Sequence, residues 1–149
     1  MSEAATVHAS AVLVGERGVL IRGASGTGKS SLLLGLLASD PAATWLIADD
    51  RVILTAAHGR LIAATSPALA GLMEIRGQGI VRRSFVSPAC LDLVVDLTPL
   101  ESCRRMPSIA TERVALHGVQ LRRLCLPIGA VDGPARVRAG LARESATKL

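Results

Sequence analysis

Apolar residues fall in short runs broken by turn residues along most of the chain, and helical spacing is confined to two places. Residues 11–14 and 19–22 are apolar runs separated by Gly15-Glu16-Arg17-Gly18, which predicts a hairpin whose second strand feeds a glycine-rich segment. Leucines at 32, 33, 36 and 37 set a helical stripe over residues 30–39, stopped by Asp40-Pro41. Residues 45–48 read as a buried strand ending in Asp49-Asp50. Residues 51–55 and 61–64 predict two more strands around a turn at His58-Gly59. A short helix is expected over 67–73, leading into the block 74–80. Strands are expected over 91–97 and, as one or two pieces, over 114–127; an Ala- and Arg-rich helix over 134–146 closes the chain. Many strands and few helices predict a mixed-sheet α/β fold with a few flanking helices, not a regular doubly wound one. No repeat or linker interrupts it, so 1–149 is expected to form a single domain.

Composition narrows the classes. Half of the residues are apolar, but no run approaches the ~18 needed for a membrane span, and the first ten residues lack the pattern of a signal peptide. Cys90, Cys103 and Cys125 are odd in number and lack paired spacing; reduced thiols in a cytoplasmic protein, serving as small core or strand residues, are expected. The net charge of +5 is concentrated after residue 103, where nine basic residues face three acids, against eight and nine before it. That suits an acidic partner, phosphates or another subunit. With Trp45 and Phe85 the sole aromatics, a base-stacking platform for nucleic acid is not expected.

Residues 23–30, Gly23-Ala24-Ser25-Gly26-Thr27-Gly28-Lys29-Ser30, match the pattern of a phosphate loop and sit between an apolar strand and a helix. Glycines let backbone N–H groups turn toward phosphate oxygens, and the helix end, with Ser30 and Ser31, adds its positive dipole. Lys29 would reach the β- and γ-phosphates of ATP, and the Ser30 hydroxyl would ligate Mg²⁺. Of seventeen cationic residues only Lys29 and Lys148 are lysines, so position 29 keeps a compact ammonium in a chain that otherwise uses arginine. A strand ending in Asp49-Asp50, some twenty residues on, is where a metal-binding carboxylate belongs, one acid for the metal and one for a substrate proton; the bland alternative is a turn.

These blocks, with His8 and the segment Met73-Glu74-Ile75-Arg76-Gly77-Gln78-Gly79-Ile80, resemble the catalytic domain of HPr kinase/phosphorylase. That bacterial enzyme phosphorylates a serine of the phosphotransferase carrier HPr and reverses the step by phosphorolysis, regulating carbon metabolism. The resemblance covers about the first 80 residues well and is weak beyond Val81. It implies a fold related to the nucleotide-binding domain of phosphoenolpyruvate carboxykinase, ATP and Mg²⁺ as cofactors, HPr or a homologue as partner, and a homo-oligomer, a hexamer. It also implies Asp49 as catalytic base, His8 beside Asp49 setting its protonation, and Asp50, Ser30 and Glu74 as metal ligands. Arg76 would contact phosphate or hold the site, and Arg105 would stabilise the transferring phosphoryl group.

Plain structural roles stand beside each of these. His8 alone is an ordinary surface residue, Glu74 and Arg76 can form an exposed ion pair, and Arg104-Arg105 can be a solvated basic face. His58 and His117, each before a glycine, read as turn residues. Compared with the common full-length form, the N-terminal domain is expected to be absent and the C-terminal region short. Ala9 and Gln78 replace a usual glycine and a usual aliphatic. An ATP-sensing module without phosphoryl transfer is the alternative function, and a small-molecule kinase a third.

Overall fold

The computed structural model describes residues 4–108 and 112–142. In chain order the strands are β1 Ala5–Val7, β2 Ser10–Val14, β3 Arg17–Arg22, β4 Thr44–Ala48, β5 Val52–Ala57, β6 Arg60–Ala64, β7 Leu72–Ile75, β8 Gly79–Arg82, β9 Ala89–Thr98, β10 Arg113–Leu116 and β11 Val119–Pro127. Helix α1 spans Lys29–Ser39 and α2 spans Gly133–Ala142. One large mixed sheet runs β1-β5-β6-β9-β3-β2-β4. The long strand β9 is its junction: it lies parallel to β3 on one side, and on the other takes β6 antiparallel at its start and β11 parallel further along. Strand β10 hairpins onto β11, and β7 and β8 form a separate two-stranded sheet.

Strand alternation sorts the core onto the two faces of the sheet. Val19, Ile21, Leu93, Val95 and Leu97 face the helices, where Leu32, Leu33, Leu36 and Leu37 of α1 and Val137 and Leu141 of α2 meet them. Leu20 and Val94 point the other way, toward Leu54, Leu61 and Leu121. Because both faces are covered, the central strands read as continuous apolar runs. In β9 two acids, Asp92 and Asp96, interrupt the run, and Asp92 marks an irregularity. The register shifts there, between Gly18↔Leu91 and Val19↔Leu93, so Leu91 and Leu93 point to opposite faces, and the Asp92 carboxylate accepts the Gly18 N–H at 3.1 Å. Two glycines bring the helices together: a Cβ on Gly35 would lie 2.7 Å from Pro134 Cγ, and one on Gly133 would lie 3.1 Å from Leu32 Cδ1.

The mixed α/β architecture with two flanking helices is the expected one. Three local expectations change. Within 67–73 only Pro67–Leu69 is helical, as a single 3-10 turn, and Met73 lies in β7, fully buried against α1's core, which draws the chain into a strand. The block 74–80 forms the β7–β8 hairpin. Strand β1 was not anticipated, since three residues carry no period. The closing helix is described to Ala142, and its expected remainder, with Lys148, lies outside the described residues. His58 and His117 occupy left-handed turn positions (φ 52° and 49°), each followed by a glycine of positive φ, as a tight hairpin turn requires. Among the described residues no helix is long and apolar enough to cross a membrane.

Candidate active site

Strands β3 and β4 both run antiparallel to β2, so they are parallel to each other and their carboxyl ends share one edge of the sheet. The loop 23–28 leaves β3 there, Asp49-Asp50 leaves β4, and His8 to Ser10 enters β2 between them. Two strand spacings, about 10 Å, separate the two exits. Strand β9 ends on the same edge, close enough that a Cβ on Gly23 would lie 3.2 Å from Leu97 Cβ. Ligands of sheets with parallel strands gather at such carboxyl ends.

In the loop, Gly26 and Gly28 take positive φ (83° and 98°) with open space where a side chain would project. Gly23 is enclosed, since an added Cβ would meet Thr27 Oγ1 at 2.5 Å. Thr27 donates its hydroxyl to the Ala24 carbonyl at 2.7 Å, closing the turn. Ala24, Ser25, Gly26, Ser30 and Ser31 are exposed, and α1 starts at Lys29 with no side-chain cap. The first amides of a helix have no partner within it, so those of Lys29, Ser30 and Ser31 are available to an anion. The Lys29 ammonium is buried (7% exposed) and donates to the carbonyls of Gly23 at 2.7 Å and Ala24 at 3.2 Å.

Asp49 is held from two sides. Its carboxylate accepts the Ser10 hydroxyl at 3.1 Å and the Glu74 backbone N–H at 3.1 Å. Ser10, 1% exposed, also accepts the Asp50 N–H at 3.2 Å, so one hydroxyl ties the two acids together. Asp50 adopts φ 65°, which turns its carboxylate away from Asp49 and onto His8 Nε2 at 2.5 Å. His8 was expected beside Asp49; its hydrogen bond goes to Asp50. The structure thus gathers His8, Asp49, Asp50 and the Glu74 backbone. Arg76 sits exposed after β7, and Arg105 is exposed beyond the Leu100–Ser102 turn that follows β9. Neither is paired with the carboxylates, and no Glu74–Arg76 ion pair forms among the described residues. The expected metal ligands Ser30, Asp50 and Glu74 are all exposed oxygen donors. No group of three or more His, Cys, Asp or Glu side chains suited to a metal ion occurs among the described residues. Mg²⁺ is commonly held by one or two carboxylates together with substrate phosphates, so the donor set suits it without such a cage.

Two features escaped sequence reading. Ser10 is one; its signal is a lone hydroxyl entering an apolar strand. The other is Asp96, 8% exposed, which accepts Arg22 Nε and Nη2 at 2.7 and 2.8 Å and Arg123 Nε at 2.5 Å. Arg123 Nη1 also approaches Glu112 at 3.6 Å. Burial works to raise the Asp96 pKa, but the hydrogen bonds and charges of Arg22 and Arg123 outweigh it and hold the carboxyl below its ordinary value. The signal was an acid inside an apolar run, which demands a buried partner. Arg22 immediately precedes Gly23, so this cluster anchors the root of the loop.

A protein-family model described as HPr Serine kinase C-terminal domain matches residues 1–143. The chain belongs to the HPr serine kinase C-terminal domain family. It is 30% identical over 141 residues to the HPr kinase/phosphorylase of Mycoplasma mycoides, covering 87% of this chain and 44% of that protein. It is 31% identical over 140 residues to the HPr kinase/phosphorylase of Streptococcus thermophilus, again covering 44% of the relative. Over 77 residues, identity to the Lactobacillus acidophilus HPr kinase/phosphorylase reaches 42%. The chain therefore spans under half the length of these relatives. A solved structure of the Hpr(Ser) kinase/phosphatase from Coxiella burnetii has the same fold, with a TM-score of 0.78 at 22% identity over 93% of this chain and 88% of that one.

Proposed function

We propose that this family member is an ATP- and Mg²⁺-dependent serine kinase, also competent for phosphorolysis, acting on HPr or an HPr-like carrier. The observation that carries the reading is the orientation of Asp49 by Ser10 and the Glu74 amide, on the edge that also bears the glycine loop. In this reading the open amides at Gly26, Gly28 and the start of α1 bind the phosphates of ATP, as a phosphate loop does, and Lys29 turns from its carbonyls to the transferring phosphoryl group. Asp49 positions the incoming serine hydroxyl and takes its proton; in reverse, protonated Asp49 returns it. His8, hydrogen-bonded to Asp50, fixes that second acid. Mg²⁺, held by Asp50, Ser30 and Glu74, would offset phosphate charge. Arg76 and Arg105 reach the phosphates from exposed loops.

The same reading takes 1–149 as one domain of the carboxykinase-related nucleotide-binding fold, in a cytoplasmic homo-oligomer, a hexamer, that regulates carbon metabolism. The test is transfer of label from ATP to HPr. Asp49→Asn should lower the rate at least about 100-fold while nucleotide still binds. Wild-type transfer by this variant would remove Asp49 from the chemistry; nucleotide binding without transfer by the parent chain would leave an ATP-sensing module.

A further inference from the structure

Of the three thiols expected as small core or strand residues, two adjoin. Cys103 ends the 3-10 turn after β9, and Cys125 lies in β11 opposite Asp96. Their sulfurs are 2.6 Å apart, and the Thr98 hydroxyl lies 3.2 Å from Cys103 Sγ and 2.8 Å from Cys125 Sγ. Both residues are half-buried and free. Cys103 is the root of the segment that carries Arg104, Arg105 and Met106, all exposed and Met106 at 88%. Cys90, at the other end of β9, stands apart from the pair.

We propose that Cys103 and Cys125 form an oxidisable dithiol whose disulfide pins the Arg104-Arg105 segment to β11 at the carboxyl edge of the sheet. The sulfurs need close by only about half an ångström to reach the roughly 2.05 Å of a bond. The co-reactant is a small-molecule disulfide of the glutathione type. One of the two thiolates attacks a sulfur of that disulfide, whose bond breaks and releases one small thiolate. The second cysteine then attacks the mixed disulfide, the Cys103–Cys125 bond forms, and a second small thiolate leaves; the two cysteine protons pass to the two released thiolates. Burial, then the contact with Cys125, raises the Cys103 pKa, against the opposing pull of the Thr98 hydroxyl and the Arg123 charge. Oxidation therefore speeds up as pH rises.

Only the effect on phosphoryl transfer rests on the kinase reading; the bond itself is read independently. The full chain is incubated with oxidised glutathione at mildly alkaline pH, alkylated with iodoacetamide and mapped by mass. The expected product is lighter by two hydrogen atoms before alkylation, carries alkylated Cys90, and yields a cross-linked Cys103–Cys125 peptide. Brief trypsin cleavage after Arg104 or Arg105 falls between the two cysteines, so nicked oxidised chains stay in one piece until reductant is added. Cys90→Ser should behave as the parent, and Cys103→Ser or Cys125→Ser should take up glutathione without an internal bond. Alkylation or separate glutathionylation of both Cys103 and Cys125 in the parent overturns the proposal. With HPr and ATP, oxidation should slow transfer at least about fivefold, reversibly with dithiothreitol. An unchanged rate with the bond in place would overturn the coupling to the segment. Absence of transfer by the reduced chain counts against the kinase reading and leaves the mass result standing.

Discussion

Replacing Asp96 with Asn tests whether the buried ion cluster holds the root of the glycine loop. The substitution keeps shape but removes the charge facing two guanidinium groups, and its amide nitrogen would point a donor at donors. Arg22 loses its paired contact, and Arg123 keeps only the looser approach to Glu112. Breaking a fully buried pair costs about 3–5 kcal/mol. Here the side chains of Arg22 and Arg123 are 32% and 25% exposed and regain some hydration, so about 2–3 kcal/mol is expected. That corresponds to a Tm lower by roughly 5–10 °C for a chain of this size. The assay is urea unfolding followed by circular dichroism, for parent and variant, from neutral to acid pH. Because the folded pKa of Asp96 lies below its ordinary 3.8, its contribution is complete above 3.8 and is lost as pH falls through the folded value. The gap between parent and Asp96→Asn must therefore close in acid. A gap equally wide at both ends of the range, or one under about 0.5 kcal/mol at neutral pH, refutes the reasoning.

Three further outcomes follow from other contacts. Ser10→Ala should cost about 1–2 kcal/mol in urea unfolding by orphaning the Asp50 N–H, and should slow transfer to HPr by roughly tenfold because Asp49 loses a donor. Gly18→Ala would put a Cβ 2.1 Å from the Cys90 carbonyl oxygen, a backbone atom between paired strands, so a loss of about 3 kcal/mol or more, or no folded product, is expected on expression and unfolding. Leu33→Ala, at a fully buried position on the sheet-facing side of α1, should lower stability by about 3–4 kcal/mol while the folded far-ultraviolet spectrum is retained.

Local signals carried part of the fold. The β2–β3 hairpin, the α1 stripe and the two His-Gly turns depend on neighbours a few residues apart, and the sequence spacing reports them directly. The junction at β9 does not work that way. Its partners come from residues 18–22, 62–63 and 122–127, and nothing within its apolar run says which strand lies on which side. Residues 67–73 misled because an initial proline and small residues suit a helix, while burial of Met73 against α1 decides the outcome. In the site, the glycine loop and the acid pair were legible as motifs. The partner of His8 was not, because it depends on the left-handed turn at Asp50, which moves one carboxylate toward the imidazole and leaves the other to Ser10. The cluster of Asp96 joins residues 74 and 27 positions apart, and the two adjoining thiols are 22 apart; spacing alone cannot reveal either.

The lysine of the glycine loop does not rest in solvent waiting for its ligand. Its ammonium plugs the loop from inside, neutralising two carbonyl dipoles that would otherwise face an arriving anion. Under the proposed kinase reading, nucleotide entry would be an exchange, in which polyphosphate oxygens take over the cation while the carbonyls of Gly23 and Ala24 give it up. Any affinity measured for this chain is the net of that swap, and a ligand too short to reach Lys29 draws no benefit from it.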